Sequence, residues 1–336
     1  VRTHVDLMAQ LLAPGAIESA ADRTFRGKRR RPDVAWAQLH RAEVVDEIRC
    51  RLTAGEWSPS PFEVLWVRDP KPRAIARAPI ADRIVHTALV DVLTPCFAPS
   101  LMPEDFACRV GFGSHRAVLA LQRLMGRHRW ALHLDVRAYF PSISHDIVAA
   151  LLARRCRDPE FLRHLESIAR EGARIYLRPD VRQGLGLNAE WPSPDGRHGL
   201  PVGAATSQFL AAHVYLNGLD HFVKRELRVP GYVRYVDDLF LFTDARVPGA
   251  LDEVRRRVAD WLADERSLRL KHPDAPVLST SGTLDALGYR ITRGDRIALP
   301  RATRRLRARV SQYLAGDRPH LNIERCIASY AGLMLF

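Results

Sequence analysis

The sequence is short of the residues that make a metal-stapled, secreted or membrane protein. Only five cysteines occur, Cys50, Cys96, Cys108, Cys156 and Cys326, with no CxxC and no Cys/His ligand spacing. An odd, scattered set argues against a structural zinc and for a reducing compartment. No apolar run approaches the roughly 20 residues that a membrane span needs, and no signal peptide is evident. Repeats and low-complexity tracts are lacking too. Negative charge is in short supply, with 38 Asp and Glu against 51 Lys and Arg and a formal net charge of +13. Arg carries most of that excess, and its forked guanidinium suits phosphate. The balance fits a nucleic-acid partner, or simply a basic soluble protein.

What is present begins with residues 231–244, GYVRYVDDLFLFTD. Two short runs of β-branched, aromatic and aliphatic residues meet at Asp237 and Asp238, which predicts a hairpin. Adjacent acids between apolar arms are costly without a counter-charge, and the turn itself holds no base. A divalent cation answers that need, because Mg²⁺ favours carboxylate and phosphate oxygens. A plain acidic turn is the alternative, since Asp is a common turn former. The Tyr-x-Asp-Asp pattern alone does not decide between them.

The chain in order supplies more. A short helix is expected over 3–13, stopped by Pro14-Gly15. RTFRGKRRR (23–31) holds six basic residues in nine. It is a solvated loop or a nucleic-acid arm; Arg29, Arg30 and Arg31 with Phe25 and Trp36 nearby favour the arm. An amphipathic helix follows over 34–54. Residues 62–68 and 73–78 read as two strands around a Pro-rich turn, placing Lys71, Arg73 and Arg77 on a hairpin. A helix runs from Pro79 to about Phe97. Arg109 precedes the Gly-x-Gly turn of DFACRVGFGSH (105–115), which is a simple turn or a phosphate approach. A helix over 115–125 has its apolar residues at helical spacing. WALHLDV (130–136) predicts a buried strand ending in Asp135. His133 within it reads as a packed strand residue rather than a ligand. Ser144 is a fair N-cap for a helix over 145–156, and another helix is expected over 160–170. Residues 172–198 show no sustained period and read as a long surface insertion, with room for a hairpin. Helices over 204–228, 249–265 and 301–315 and short strands over 277–299 complete the reading. Arg301, Arg304, Arg305, Arg307 and Arg309 put five Arg in nine residues on the last helix, which suits phosphate contact.

Together these pieces resemble a reverse transcriptase. LDVRAYFPSI (134–143) is similar to the family's first catalytic block and YVDD (235–238) to its second. DRIVHTAL (82–89) and DFACRVGFGSH resemble its fingers blocks, LPVGAATSQ (200–208) its template and nucleotide grip, and LGYRI (287–291) the block before the thumb. The order is the family's, over about residues 30–331. Where most relatives read Leu-Pro-Gln-Gly, this chain has Leu200-Pro201-Val202-Gly203, followed by Thr206-Ser207-Gln208. That form, with VYLNGLDHFVK (214–224), PIADRIVHTAL (79–89) and ASYAG (328–332), resembles the reverse transcriptases of diversity-generating retroelements.

The resemblance implies an α+β fold with right-hand polymerase-like fingers and palm, the palm an antiparallel sheet with packed helices, followed by a helical thumb. The expected divisions are a helical and basic extension (1–60), fingers (61–130), palm (131–299, with the 172–198 insertion) and thumb (300–336). It also implies Asp135, Asp237 and Asp238, helped by the Val136 carbonyl, as holders of two Mg²⁺, which Mn²⁺ can replace. Arg73 and Arg109 are implied as triphosphate contacts and Phe140 as a steric gate against ribose. Val202 and Gln208 bear on fidelity. Tyr235, Arg29, Arg30, Arg31, Arg304 and Arg305 are candidates for nucleic-acid contact. Implied partners are an RNA template, a DNA or RNA primer, dNTPs and a small basic accessory protein, in a bacterial or phage-encoded, cytoplasmic setting without membrane contact. Two departures stand out. Phe112 replaces a frequent Lys. Lys271-His272-Pro273 stands where Pro-Lys-Lys is usual, so no residue is assigned to protonating pyrophosphate. Group II intron-type, retron and antiviral reverse transcriptases usually carry Leu-Pro-Gln-Gly. A catalytically silent RNA-binding scaffold has no need of all three carboxylates. A basic DNA-binding structural protein leaves the paired acids unexplained.

Overall fold

The computed structural model describes residues 2–67, 71–188, 192, 195–244, 249–317, 323–334 and 336. Among the described residues, helices and three antiparallel sheets are mixed along the chain, which divides into two units, each built from separate stretches. The first comprises Val1–Met102, Val136–His221 and Ala259–Lys271; the second Pro103–Asp135, Phe222–Val258 and His272–Phe336.

The first unit is mainly helical. Its long helix Ile80–Phe97 buries Ile84, Val85, Leu89 and Leu93 and packs against Ala16–Phe25. The hairpin β1 (Glu63–Val67) and β2 (Arg73–Arg77) forms where alternating apolar residues flank the Pro-rich connection. The helical stretch expected over 34–54 is broken at His40 into Pro32–Leu39 and Arg41–Thr53. A larger difference concerns 172–198. The helix Pro159–Leu177 runs straight through Gly172, and Pro179–Leu185 follows as another helix, with residues 189–191 and 193–194 outside the described residues. Gly172 is a packing residue here. A Cβ on it would stand 2.3 Å from the Pro201 ring, so only glycine lets the two segments approach this closely. Ile175, Tyr176 and Val181 then close a small core with Ala74 and Ala76 of β2. The helix expected over 204–228 is instead Ala205–Phe209, a π-helical stretch Leu210–Tyr215 and Asn217–His221, with a second π stretch, Phe222–Glu226, assigned to the second unit.

His86 illustrates the chemistry of this core. It is buried on Ile80–Phe97, and neither ring nitrogen has a hydrogen-bond partner among the described residues. Burial pushes its pKa down from 6.5 to about 3. Between those values the unfolded chain holds the extra proton. Stability from this group is therefore whole above pH 6.5 and falls on acidification by about 1.4 kcal/mol per pH unit. From pH 7 to pH 5 the protein is expected to lose about 2 kcal/mol through His86. His86→Leu should remove that loss in urea unfolding; equal acid sensitivity in the two proteins would contradict it.

The second unit holds a four-stranded antiparallel sheet in the order β4-β5-β3-β6, with β3 Trp130–Asp135, β4 Gly231–Tyr235, β5 Asp238–Thr243 and β6 Val277–Ser279. The amphipathic helix Ser114–Arg127 lays Ala117, Val118, Leu121 and Met125 against Ala131, Val233, Phe240 and Phe242 on one sheet face. A three-stranded sheet, β7 Leu284–Ala286, β8 Tyr289–Ile291 and β9 Arg296–Ala298, extends that core through Tyr289 and Ile291. Helices Pro300–Leu314 and Ile323–Met334 pack on one another. Among the described residues no helix is long and apolar enough to cross a membrane.

Candidate active site

The acids meet through strand register. β3 and β5 pair antiparallel from Trp130↔Thr243 to Asp135↔Asp238, and β4 pairs with β5 from Gly231↔Phe242 to Tyr235↔Asp238. Directly opposed residues in such a ladder have Cα atoms about 4.5–5.5 Å apart. Asp135 and Asp238 are therefore cross-strand neighbours on one face, and Asp237 precedes Asp238 in the two-residue turn. The turn is strained. Val236, its first residue, has φ +58°, a conformation that a β-branched residue adopts only under constraint. Arg234 supplies one constraint, donating from Nη1 to the Val236 carbonyl at 3.1 Å.

His133 lies two residues before Asp135, on the same face. Its Nε2 is 2.7 Å from Asp238 Oδ1, and its ring stacks on Phe240 at 4.3 Å. It is packed, as its place in the strand implies, and it also holds one of the acids. Tyr235 is half-buried beside the acids, and burial pushes its phenol pKa up, so it stays neutral.

Arg109 sits in the same unit. Its guanidinium lies 3.9 Å over the Phe112 ring and donates to the Asp105 carbonyl at 2.9 Å. Phe112 thus supports the Arg109 guanidinium with its ring.

In the first unit, β2, Phe140 and Val202 are drawn together. Ala76 N–H donates to the Val202 carbonyl at 2.7 Å, and Leu200 N–H to the Phe140 carbonyl at 2.9 Å. A Cβ on Gly203 would stand 2.7 Å from the Ala76 carbonyl, and its φ is +118°, so this close strand contact requires glycine. Phe140 is half-buried, Val202 half-buried, and Gln208 and Arg73 exposed. Arg77 is committed to Glu63 across the hairpin at 2.7 Å. Arg29, Arg30 and Arg31 are exposed in the turn before Pro32–Leu39. Trp36 there is also exposed, whereas Phe25 is buried at the end of its helix and cannot stack on a base. Arg304 is exposed and Arg305 half-buried on Pro300–Leu314.

The donor set at the hairpin is carboxylate oxygen, which suits a hard cation. Among the described residues no three His, Cys, Asp or Glu side chains form a ready-made metal cage. Mg²⁺ does not require one, because it commonly takes one or two carboxylates and completes its shell with water and substrate phosphates. The residues present fit that mode.

No family model matches the chain. Over 184 residues, 54% of its length, it is 22% identical to the group II intron-encoded protein LtrA of Lactococcus lactis subsp. cremoris, covering 28% of that protein. Over 143 residues, 43% of its length, it is 27% identical to an uncharacterized 91 kDa protein in the cob intron of Schizosaccharomyces pombe, covering 16% of it. The chain thus spans under a third of the length of these relatives. A chain of a partial Cas6-RT-Cas1–Cas2 complex aligns with 77% of this chain and 43% of its own, at TM-score 0.39 and 18% identity. The likeness to the group II intron-encoded protein LtrA agrees with the reverse-transcriptase class implied by the motif order, and does not reach a subtype.

Proposed function

We propose that the chain is an RNA-directed DNA polymerase, adding deoxynucleotides to a primer on an RNA template. The observation that carries this reading is the register that sets Asp135 opposite Asp238, with Asp237 beside it in a strained turn. The ordered motif blocks and the distant likeness to intron-encoded proteins support the same class. Asp135, Asp237 and Asp238, with the Val136 carbonyl, would hold two Mg²⁺ ions. When bound, these supply charge neutralisation at the primer 3′-hydroxyl and the departing pyrophosphate. The chain's own work is positioning. Arg109, braced on Phe112, and Arg73 bind triphosphate oxygens by charge-assisted hydrogen bonds. Phe140 excludes a ribose 2′-hydroxyl. The exposed Arg29–Arg31 segment and Arg304 neutralise nucleic-acid phosphates.

The finer reading is a diversity-generating retroelement enzyme, working with a template-repeat RNA and a small basic accessory protein. It is supported by Val202 in the grip block, where an apolar side chain cannot hydrogen-bond near the incoming nucleotide. A group II intron-like enzyme is the second reading, favoured by the likeness to the intron-encoded protein LtrA. One assay addresses both: primer extension on RNA with Mg²⁺ and dNTPs, with the products sequenced. Template-dependent cDNA is expected, with errors concentrated opposite adenine and reduced by Val202→Gln. Phe140→Ala should admit ribonucleotides. Absence of cDNA overturns the class; accurate wild-type copying overturns only the retroelement subtype.

A further inference from the structure

We propose that Arg234 is a positioning residue for the acidic turn, and that with Asp105 it couples the turn to the loop carrying Arg109. What the turn does rests on the polymerase reading above; how it is held does not. Arg234 and Asp105 are both fully buried, and Arg234 Nη2 meets Asp105 Oδ2 at 3.0 Å. The other arm of the guanidinium donates to the Val236 carbonyl at 3.1 Å. That carbonyl belongs to the peptide plane joining Val236 to Asp237. Because the peptide is planar, fixing its oxygen orients the plane that carries the Asp237 N and Cα, the base from which the Asp237 side chain leaves the turn. The plane must be held, since Val236 at φ +58° would otherwise relax.

The far side of the pair is anchored as well. Arg234 N–H donates to the Glu104 carbonyl at 2.9 Å, and Phe106 N–H donates to the Arg234 carbonyl at 3.0 Å. Asp105 Oδ1 accepts from Ala107 N–H at 3.3 Å, and its carbonyl accepts from Arg109 Nη1 at 2.9 Å. One continuous path therefore runs from the Asp237 peptide through Arg234 and Asp105 to Arg109. A buried ion pair is a poor way to gain stability, since matched apolar residues often do as well. A planar fork that reaches a carboxylate and a carbonyl at once is a good way to fix two segments relative to each other. Lysine offers only a point charge and would keep the pair without the second reach.

The test uses the full chain with two variants. Arg234→Lys retains the charge. The double variant Asp105→Leu with Arg234→Met removes both charges together, leaving neither stranded. Amide hydrogen exchange over residues 235–239 is compared with exchange at Leu132 and Leu241 in the sheet centre. The Mg²⁺ concentration for half-maximal primer extension is measured in parallel. Both variants are expected to exchange at least tenfold faster at the turn, with the sheet centre unchanged, and to need at least fivefold more Mg²⁺. Wild-type exchange at the turn in either folded variant overturns the proposal. So does loss of the whole fold in Arg234→Lys, which would make the pair a folding element only. A wild-type chain that extends no primer overturns the polymerase reading, and the exchange comparison alone then decides this one.

Discussion

Asp237→Asn is expected to cut nucleotide addition at least a thousandfold while leaving RNA binding and the melting temperature near those of the wild type. Asparagine keeps the size of aspartate and one acceptor oxygen, while removing the charge and turning the other oxygen into an N–H donor. A thousandfold loss corresponds to about 4 kcal/mol of transition-state stabilisation, the scale seen when one electrostatic group is taken from a reacting centre. Asp135→Asn should behave alike, because Asp135 faces Asp238 directly across the ladder. RNA binding draws on arginine–phosphate contacts elsewhere, so its affinity and salt dependence should persist. Single-turnover primer extension and RNA binding measured on one preparation separate the two effects. Retained extension by Asp237→Asn would remove the carboxylates from the chemistry.

Asp105→Ala is expected to cost about 3–5 kcal/mol of folding stability, because it removes a buried carboxylate that Arg234 meets at 3.0 Å in a fully buried site. Natural domains have only about 5–15 kcal/mol in total, so the second unit should be largely unfolded at moderate urea. Adding Arg234→Met should recover most of the loss, since both charges of the pair are then removed together. A loss below about 1 kcal/mol for Asp105→Ala would be the signature of an exposed pair, and would contradict the burial described here.

Much of the acid hairpin was legible because its signal is local. Period-two apolar runs bracket a polar turn, and an apolar strand ends in an acid; both patterns survive without tertiary information. His133 and Arg234 were not legible as partners of the site. Asp238 lies 105 residues from His133, and Asp105 lies 129 residues before Arg234, a separation read from their numbers. Nothing in the flanking residues marks either pair. The stretch 172–198 misled because Gly172 and Pro179 look like breakers. Pro179 opens a helix, where its missing N–H costs nothing, and Gly172 makes room for Pro201. The 204–228 stretch misled differently: its apolar residues suggest one continuous helix, while the backbone widens into π turns twice. The two-unit division was least accessible. Each unit gathers stretches far apart in the chain, so no linker composition announces a boundary.

The most direct measurement counts divalent ions at the hairpin. Mn²⁺ binding is followed by electron paramagnetic resonance in the wild-type chain with primer, RNA template and a non-hydrolysable dNTP, and repeated with Asp135→Asn and Asp237→Asn. The expected result is two bound ions per complex in the wild type and loss of at least one in each variant. Equal Mn²⁺ binding by all three proteins would contradict the claim that these carboxylates share the metal.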